Sequence, residues 1–293
     1  MDLRDYRILE FLSANCRTSY AKIARELSLS VVAVRKRVGN LHKKNMISIV
    51  LDMNPNIIGF IPIKVILTPT QEDTILKIDS DLSEVVLSEF WIHSDSHCQI
   101  NGFARNATNI NDIRKNIIRI SNLDECKVYR LAYPKQSQCK YHEKTTKIME
   151  HLATNPRVSS REVSNATGIK PRTVQRTIDR LQDDRNLNFT IRVHPDSAGL
   201  VGLSIQFRVR NLRTFCREFD SILSLFRNRL PHSSEFTRRH KLLFGHFMCE
   251  SFNNALHFID NVRNLDGAEI VSSSIIMKYR FLRSSSSFVV EKL

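Results

Sequence analysis

Arg17-Thr18-Ser19-Tyr20-Ala21-Lys22-Ile23 returns 140 positions later as Arg157-Val158-Ser159-Ser160-Arg161-Glu162-Val163. The match runs on without a gap: Val34 falls on Val174, Leu41 on Leu181, Pro55 on Pro195 and Gly59 on Gly199. Past Gly59 the register drifts but persists. Glu89-Phe90 falls on Glu235-Phe236, Gly102 on Gly245, and Asn122-Leu123-Asp124 on Asn264-Leu265-Asp266. Chance supplies isolated matches rather than an ungapped run, so the chain duplicates one unit.

The first half of each copy reads as helices. Leu3, Ile8, Leu9 and Leu12 recur at helical spacing, and residues 20–27 form a second short helix. Ser28-Leu29-Ser30 is a turn whose Ser30 can cap a third helix, with Val31, Val34, Val38 and Leu41 inward and Arg35, Lys36 and Arg37 outward. A tight turn before a basic third helix is a helix-turn-helix pattern, and the β-rich run at 46–51 suggests a small wing. The second copy places its helices at 145–154, 160–166 and 171–182. Gly168 suits the turn, Pro171 suits the first turn of the third helix, and Arg172, Gln175, Arg176 and Arg180 face outward.

The second half of each copy alternates strands and helices. In the first copy strands are expected at 60–67, 85–92, 99–104 and 127–131, with helices at 74–82 and 110–118. The second copy follows with strands at 203–209, 234–237, 242–249 and 268–279 and helices at 212–226 and 254–262. That β-α-β-β-α-β order is the ferredoxin-like split motif. The expected fold is α+β: two winged helix-turn-helix domains (1–51 and 145–194) alternating with two ferredoxin-like domains (52–133 and 195–283). A polar linker (134–144) joins the copies, and a serine-rich tail (284–293) is expected to be loose.

Charge separates the units. Residues 1–50 carry a net +6, residues 51–133 a net −3, residues 134–195 a net +6 and the remainder +5. Basic helical units on either side of an acidic one point to a polyanionic partner for the former. Six scattered cysteines form no C-x-x-C pair, and no metal is expected. No Gly-rich phosphate loop, HExxH or serine elbow is present, so no catalytic residues and no cofactor are expected. The charged start and the short apolar runs suggest a cytoplasmic protein with no membrane partner.

These features resemble the Lrp/AsnC (leucine-responsive, feast/famine) transcription regulators of bacteria and archaea. The resemblance rests on Leu3, Asp5, Ile8, Leu12, Arg17, Ser19, Ile23-Ala24, Leu27, Ser30, Val34, Arg37, Leu41, Ile47, Pro55 and Gly59. In the second copy it rests on Ile148, Leu152, Asn155, Arg157, Ser159, Val163, Gly168, Thr173-Val174, Arg176, Leu181, Pro195 and Gly199. It implies a DNA-binding regulator whose α/β halves pair, here within one chain, with further self-association of the family's kind. Two non-identical readers suit an asymmetric site. The resemblance also implies a small, amino-acid-like effector. Where the family carries a Gly-Asp-x-Asp element, however, this chain has Asn101-Gly102-Phe103-Ala104 and Phe244-Gly245-His246-Phe247, and Asn45 stands where a glycine is common.

The candidate contacts to double-stranded DNA follow. Arg35, Lys36 and Arg37, and in the second copy Arg172, Gln175 and Arg176, are candidates to read bases in the major groove. Thr173 can touch DNA or start its helix; Lys170 and Arg180 lie beside it. Lys22, Arg25, Lys43 and Lys44 are candidates for phosphate contacts, which position without reading sequence. Ser19, Ser30 and Ser159 either touch phosphate or cap helices. Two other readings stay open. Siroheme decarboxylases share this overall arrangement, and Phe236-x-Arg238-x-His240 echoes their Tyr, Arg and His stretch without its tyrosine. A non-catalytic winged-helix scaffold or RNA-binding protein is the other, and the basic third helices argue against both.

Overall fold

The computed structural model describes every residue except 69–70, 96, 106–107, 124, 133–140, 227–231, 238 and 291–293. Each copy opens with three helices: α1 (Leu3–Ala14), α2 (Tyr20–Glu26) and α3 (Val31–Lys43), then β1 (Ile47–Met53). Their counterparts, described below alongside them, are α6 (Glu143–Thr154), α7 (Ser160–Thr167), α8 (Pro171–Asp183) and β6 (Leu187–Val193). The duplication is written into the backbone. Ser28 and Gly168, Asn45 and Arg185, and Gly59 and Gly199 all adopt positive φ, between 52° and 77°. Each pair lies 140 residues apart, so the same turn recurs even where one copy lacks the glycine.

The strands expected as separate wings pair with each other. β1 and β6 form an antiparallel ribbon in which Val50 faces Thr190, its own counterpart. A local twofold axis therefore passes through the ribbon. Asn54 N donates to Asn186 O and His194 N to Met46 O, both at 2.9 Å, as that symmetry requires. α1 lies against β6 and α6 against β1, so each head leans on the other's strand. Ile8, Leu12, Ile23, Val34 and Leu41 share a single core with Ile148, Leu152, Val163, Val174, Leu181 and Phe189. The two helix-turn-helix units are one body.

The first α/β half comprises β2 (Phe60–Thr68), α4 (Glu72–Asp81), β3 (Val85–His93), β4 (Cys98–Arg105), α5 (Ile110–Ser121) and β5 (Glu125–Arg130). After a short helix, α9 (Pro195–Ala198), the second comprises β7 (Val201–Val209), α10 (Leu212–Phe226), β8 (His232–Thr237), β9 (Leu242–Cys249), α11 (Phe252–Val262) and β10 (Ala268–Phe281). All eight strands form one antiparallel sheet in the order β5-β2-β4-β3-β10-β7-β9-β8. β10 is the stitch: residues 268–276 pair with β7 and residues 276–281 with β3. One face of each half packs on its helices, as Ile63 and Val65 do on Ile75 and Ile113, or Phe207 on Phe215 and Phe258. The helix-free faces meet, bringing Trp91 onto His246 with ring centres 4.0 Å apart. On the far side, Ala132 N donates to Phe236 O at 2.6 Å, joining the outer edges of β5 and β8. The sheet thus curls almost into a barrel, which leaves little free edge.

The expected loose tail is corrected in part. Ser285–Val290 form a helix, α12, docked on the shared core: Val289 is fully buried there, and Met53 N donates to Ser285 Oγ at 2.7 Å. Residues 134–140 of the expected linker lie outside the described residues, and its last two belong to α6.

Candidate nucleic-acid interface

α3 and α8 present matching faces. Val34, Val38 and Leu41 are buried, as are Val174, Ile178 and Leu181; the residues between them face solvent. Arg35 and Lys36 are exposed, as are Arg172, Thr173, Gln175, Arg176 and Arg180. Among the described residues, Arg35, Lys36, Arg172 and Arg176 make no ion pair, so their charge is available to a partner. Lys22, Arg25, Lys43, Lys44 and Lys170 are exposed around them, and Lys170 is also the N-cap residue of α8. Ser19, Ser30 and Ser159 each accept a backbone N–H in the first turn of the helix that follows. Capping accounts for these hydroxyls.

Arg37 departs from its expected place. Its guanidinium pairs with Asp2 and Asp5 at 2.8 and 2.7 Å, tying α3 to the start of α1. The two carboxylates strengthen its hold on its proton, and this arginine serves as a brace. Gln175 is also engaged: Ser160 Oγ donates to its Oε1 at 2.6 Å and its Nε2 donates to Asp179 Oδ1 at 2.7 Å.

Sequence reasoning gave Arg17 and Arg157 only as parts of a motif. They lock the two heads together. Arg17 Nη1 donates to Pro156 O and Val158 O at 2.7 and 2.8 Å, and Arg157 donates to Cys16 O and Thr18 O in return. Their planes lie over Phe189 and Tyr20 respectively. The signal was the invariance of this arginine between the two copies while its neighbours differ.

Sequence reasoning also missed the buried polar seam inside the barrel. Lys64, fully buried, pairs with Glu235 at 2.6 Å and lies over the rings of Trp91 and Phe244. Gln99 Oε1 accepts from Lys64 Nζ and lies 3.2 Å from His246 Nε2, while its Nε2 donates to Ser204. Asn101 Nδ2 bridges Glu235 and Glu89. From Glu89 the seam leaves the barrel: Tyr279 OH donates to it at 2.8 Å, and Arg192 on the ribbon lies 3.4 Å away while pairing with Asp52 at 2.7 Å. Burial alone would weaken Arg192 as a base, but Asp52 and Glu89 more than reverse that, so it stays a cation. Polar groups thus run continuously from barrel to ribbon.

Two histidines in this seam are held neutral. Burial, with His97 and Lys64 nearby, pushes His93 down to about 2, and burial, Lys64 and His93 push His246 well below its usual value. Their ring nitrogens His93 Nε2 and His246 Nδ1 find no hydrogen-bond partner among the described residues. The unfolded chain protonates both near pH 6.5 while the folded chain does not, so stability is intact above that pH and falls below it. The expected slope from His93 is about 0.7 kcal/mol per pH unit at pH 6.5 and approaches about 1.4 kcal/mol per pH unit near pH 5. Denaturant titrations at stepped pH will show a shallower slope in His93→Gln, and an unchanged slope would refute the assignment.

Among the described residues no group of three or more His, Cys, Asp or Glu side chains is placed to hold a metal ion, and no helix is long and apolar enough to cross a membrane. Residues 1–42 match the AsnC-type helix-turn-helix domain family, and residues 142–185 match a winged helix-turn-helix DNA-binding family. Over 99 residues the chain is 32% identical to the HTH-type transcriptional regulator LrpA of Pyrococcus horikoshii, covering 33% of this chain and 70% of that protein. Over 129 residues it is 34% identical to the regulator LysM of Sulfurisphaera tokodaii, covering 42% of this chain and 86% of that one. Among solved structures, the siroheme decarboxylase NirDL matches 99% of this chain and 98% of its own, with a TM-score of 0.57 at 9% identity, a likeness of fold. Helix-turn-helix matches in both copies, and identity above 30% to named regulators over 70% and 86% of those regulators' own length, carry the conclusion: the chain belongs to the Lrp/AsnC family of DNA-binding transcription regulators.

Proposed function

We propose that this protein is a non-enzymatic, cytoplasmic regulator that reads a specific double-stranded DNA site with both heads at once. The observation that carries the reading is the pair of exposed cationic faces, Arg35 and Lys36 on α3 and Arg172 and Arg176 on α8, mounted on one shared core. Phosphate contacts from Lys22, Arg25, Lys43, Lys44 and Lys170 would supply salt-dependent affinity, and Arg35, Lys36, Arg172 and Arg176 the discrimination. A single chain already pairs its α/β halves, so one chain is the binding unit. Larger assemblies would use the helical faces, where Phe252 and Leu256 are exposed.

The seam supports an effector-responsive version of this reading. Asn101 and His246 occupy the stretches that depart from the family's effector element, and both feed the polar path to Arg192 and Asp52 on the ribbon. A small, amino-acid-like effector that rearranges the barrel interior would act on the heads along this path.

Fluorescence anisotropy with genomic duplexes, excess non-specific competitor and stepped salt tests both parts. The expected result is selective binding that falls by roughly tenfold or more in Arg35→Ala or Arg176→Ala. Amino acids added singly will shift that affinity if the effector reading holds. Unselective binding at every salt would refute sequence reading, and unshifted affinity across the amino-acid set would remove the effector.

A further inference from the structure

The local twofold axis of the ribbon puts α3 and α8 in equivalent places, so residues 140 apart address equivalent base pairs in two half-sites. Along the exposed face the two helices differ at every such pair. Val32 stands where the second copy has Arg172, Arg35 where it has Gln175, Lys36 where it has Arg176, and Gly39 where it has Asp179.

Val32 is the informative one. It is 76% exposed, the most open of the large hydrophobic side chains among the described residues, and it sits in the first turn of an otherwise basic reading face. The core gains nothing from it, since Val34, Val38 and Leu41 fill the buried side of the helix. In a major groove an exposed aliphatic group has one complementary partner, the C5 methyl of thymine. Arg172, at the matching place, is complementary to a guanine edge through two hydrogen bonds. Four residues on from Gln175, Asp179 fixes that amide, and α3 has no counterpart to this arrangement because Gly39 carries no side chain. The two faces therefore present different rows of groups: apolar, cation, cation and none on α3, against cation, amide, cation and carboxylate on α8.

We propose that the two heads read non-identical half-sites arranged as an inverted pair, and that Val32 and Arg172 set the difference. The base pair under Val32 is A·T with its thymine methyl toward the helix; its symmetry mate under Arg172 is G·C. This inference rests on the reading of the protein as a sequence-specific DNA binder.

Selection of duplexes from a random-sequence library by the full chain, beside Val32→Arg and Arg172→Val, tests it. Both substitutions fall on exposed helix positions. The wild-type chain is expected to enrich an inverted motif that breaks symmetry at one matched pair of positions. Val32→Arg will convert the A·T position to G·C with on the order of tenfold preference, bringing the two half-sites into agreement there, and Arg172→Val will do the reverse at its mate. Identical half-sites from the wild-type chain, or a motif that Val32→Arg leaves unchanged, would overturn the inference while leaving DNA reading intact. If no motif is enriched by any of the three proteins, sequence reading fails and the inference fails with it.

Discussion

Glu235→Ala will destabilise the protein by about 3 kcal/mol or more, among the largest effects expected of any single substitution outside the apolar cores. Lys64 is fully buried, and Glu235 Oε2 at 2.6 Å is its only carboxylate partner among the described residues. Removing the carboxylate strands an ammonium among Trp91, Phe244 and Gln99. Two ring faces and one amide oxygen compensate in part, which places the expectation at the lower end of the range of roughly 3–5 kcal/mol for broken buried pairs. The double substitution Lys64→Met with Glu235→Leu removes both charges and is expected to recover most of the loss, since an apolar pair of similar volume needs no desolvation. Chemical denaturation of the three proteins decides the matter. A single substitution costing under about 1 kcal/mol, or a double one no better than the single, would show that the pair is not what holds this region.

The seam also marks the limit of what the sequence discloses. Within Ile61-Pro62-Ile63-Lys64-Val65 a lone lysine at a period-2 position reads as facing solvent, because alternation separates two faces of a strand but does not say what covers the second one. Here the second face is covered by the other half of the same chain, and that closure depends on pairing between β3 and β10, far apart in sequence. The helices were legible because their apolar spacing and their caps are local: Ser19, Ser30 and Ser159 each cap within three residues. The β-α-β-β-α-β order was legible for the same reason, within a residue or two at most ends. The partner of the strand at 47–53 was not, since a short strand of mixed burial carries no mark of which copy it will join. Arg37 shows the same limit among the candidate contacts. Its place on the outward side of α3 was readable, but its capture by Asp2 and Asp5 arises from the docking of α1. The tail misled because four serines precede Val289, which the shared core takes up.

The shared core makes a second large effect predictable on DNA. Two readers joined by a flexible tether tolerate changes in the spacing of their half-sites, because the tether stretches and the second encounter still occurs at high local concentration. Two readers built on one ribbon do not. Cys16 N donates to Phe189 O, Arg17 and Arg157 exchange bonds with the opposite loops, and Thr190 Oγ1 donates to Ser13 O, so neither head can turn without tearing the other's core. Inserting about five base pairs between the half-sites puts them on opposite faces of the duplex, and inserting about ten restores the face but separates them by a full turn of roughly 34 Å. Both insertions are expected to reduce affinity by on the order of 10²- to 10⁴-fold, down to the level of a duplex carrying one half-site. Competition binding on the two spaced duplexes, the natural one and the single half-site gives the comparison directly. Retention of full affinity at ten inserted base pairs would mean that the heads separate on DNA, and the ribbon would then have to open for the protein to bind.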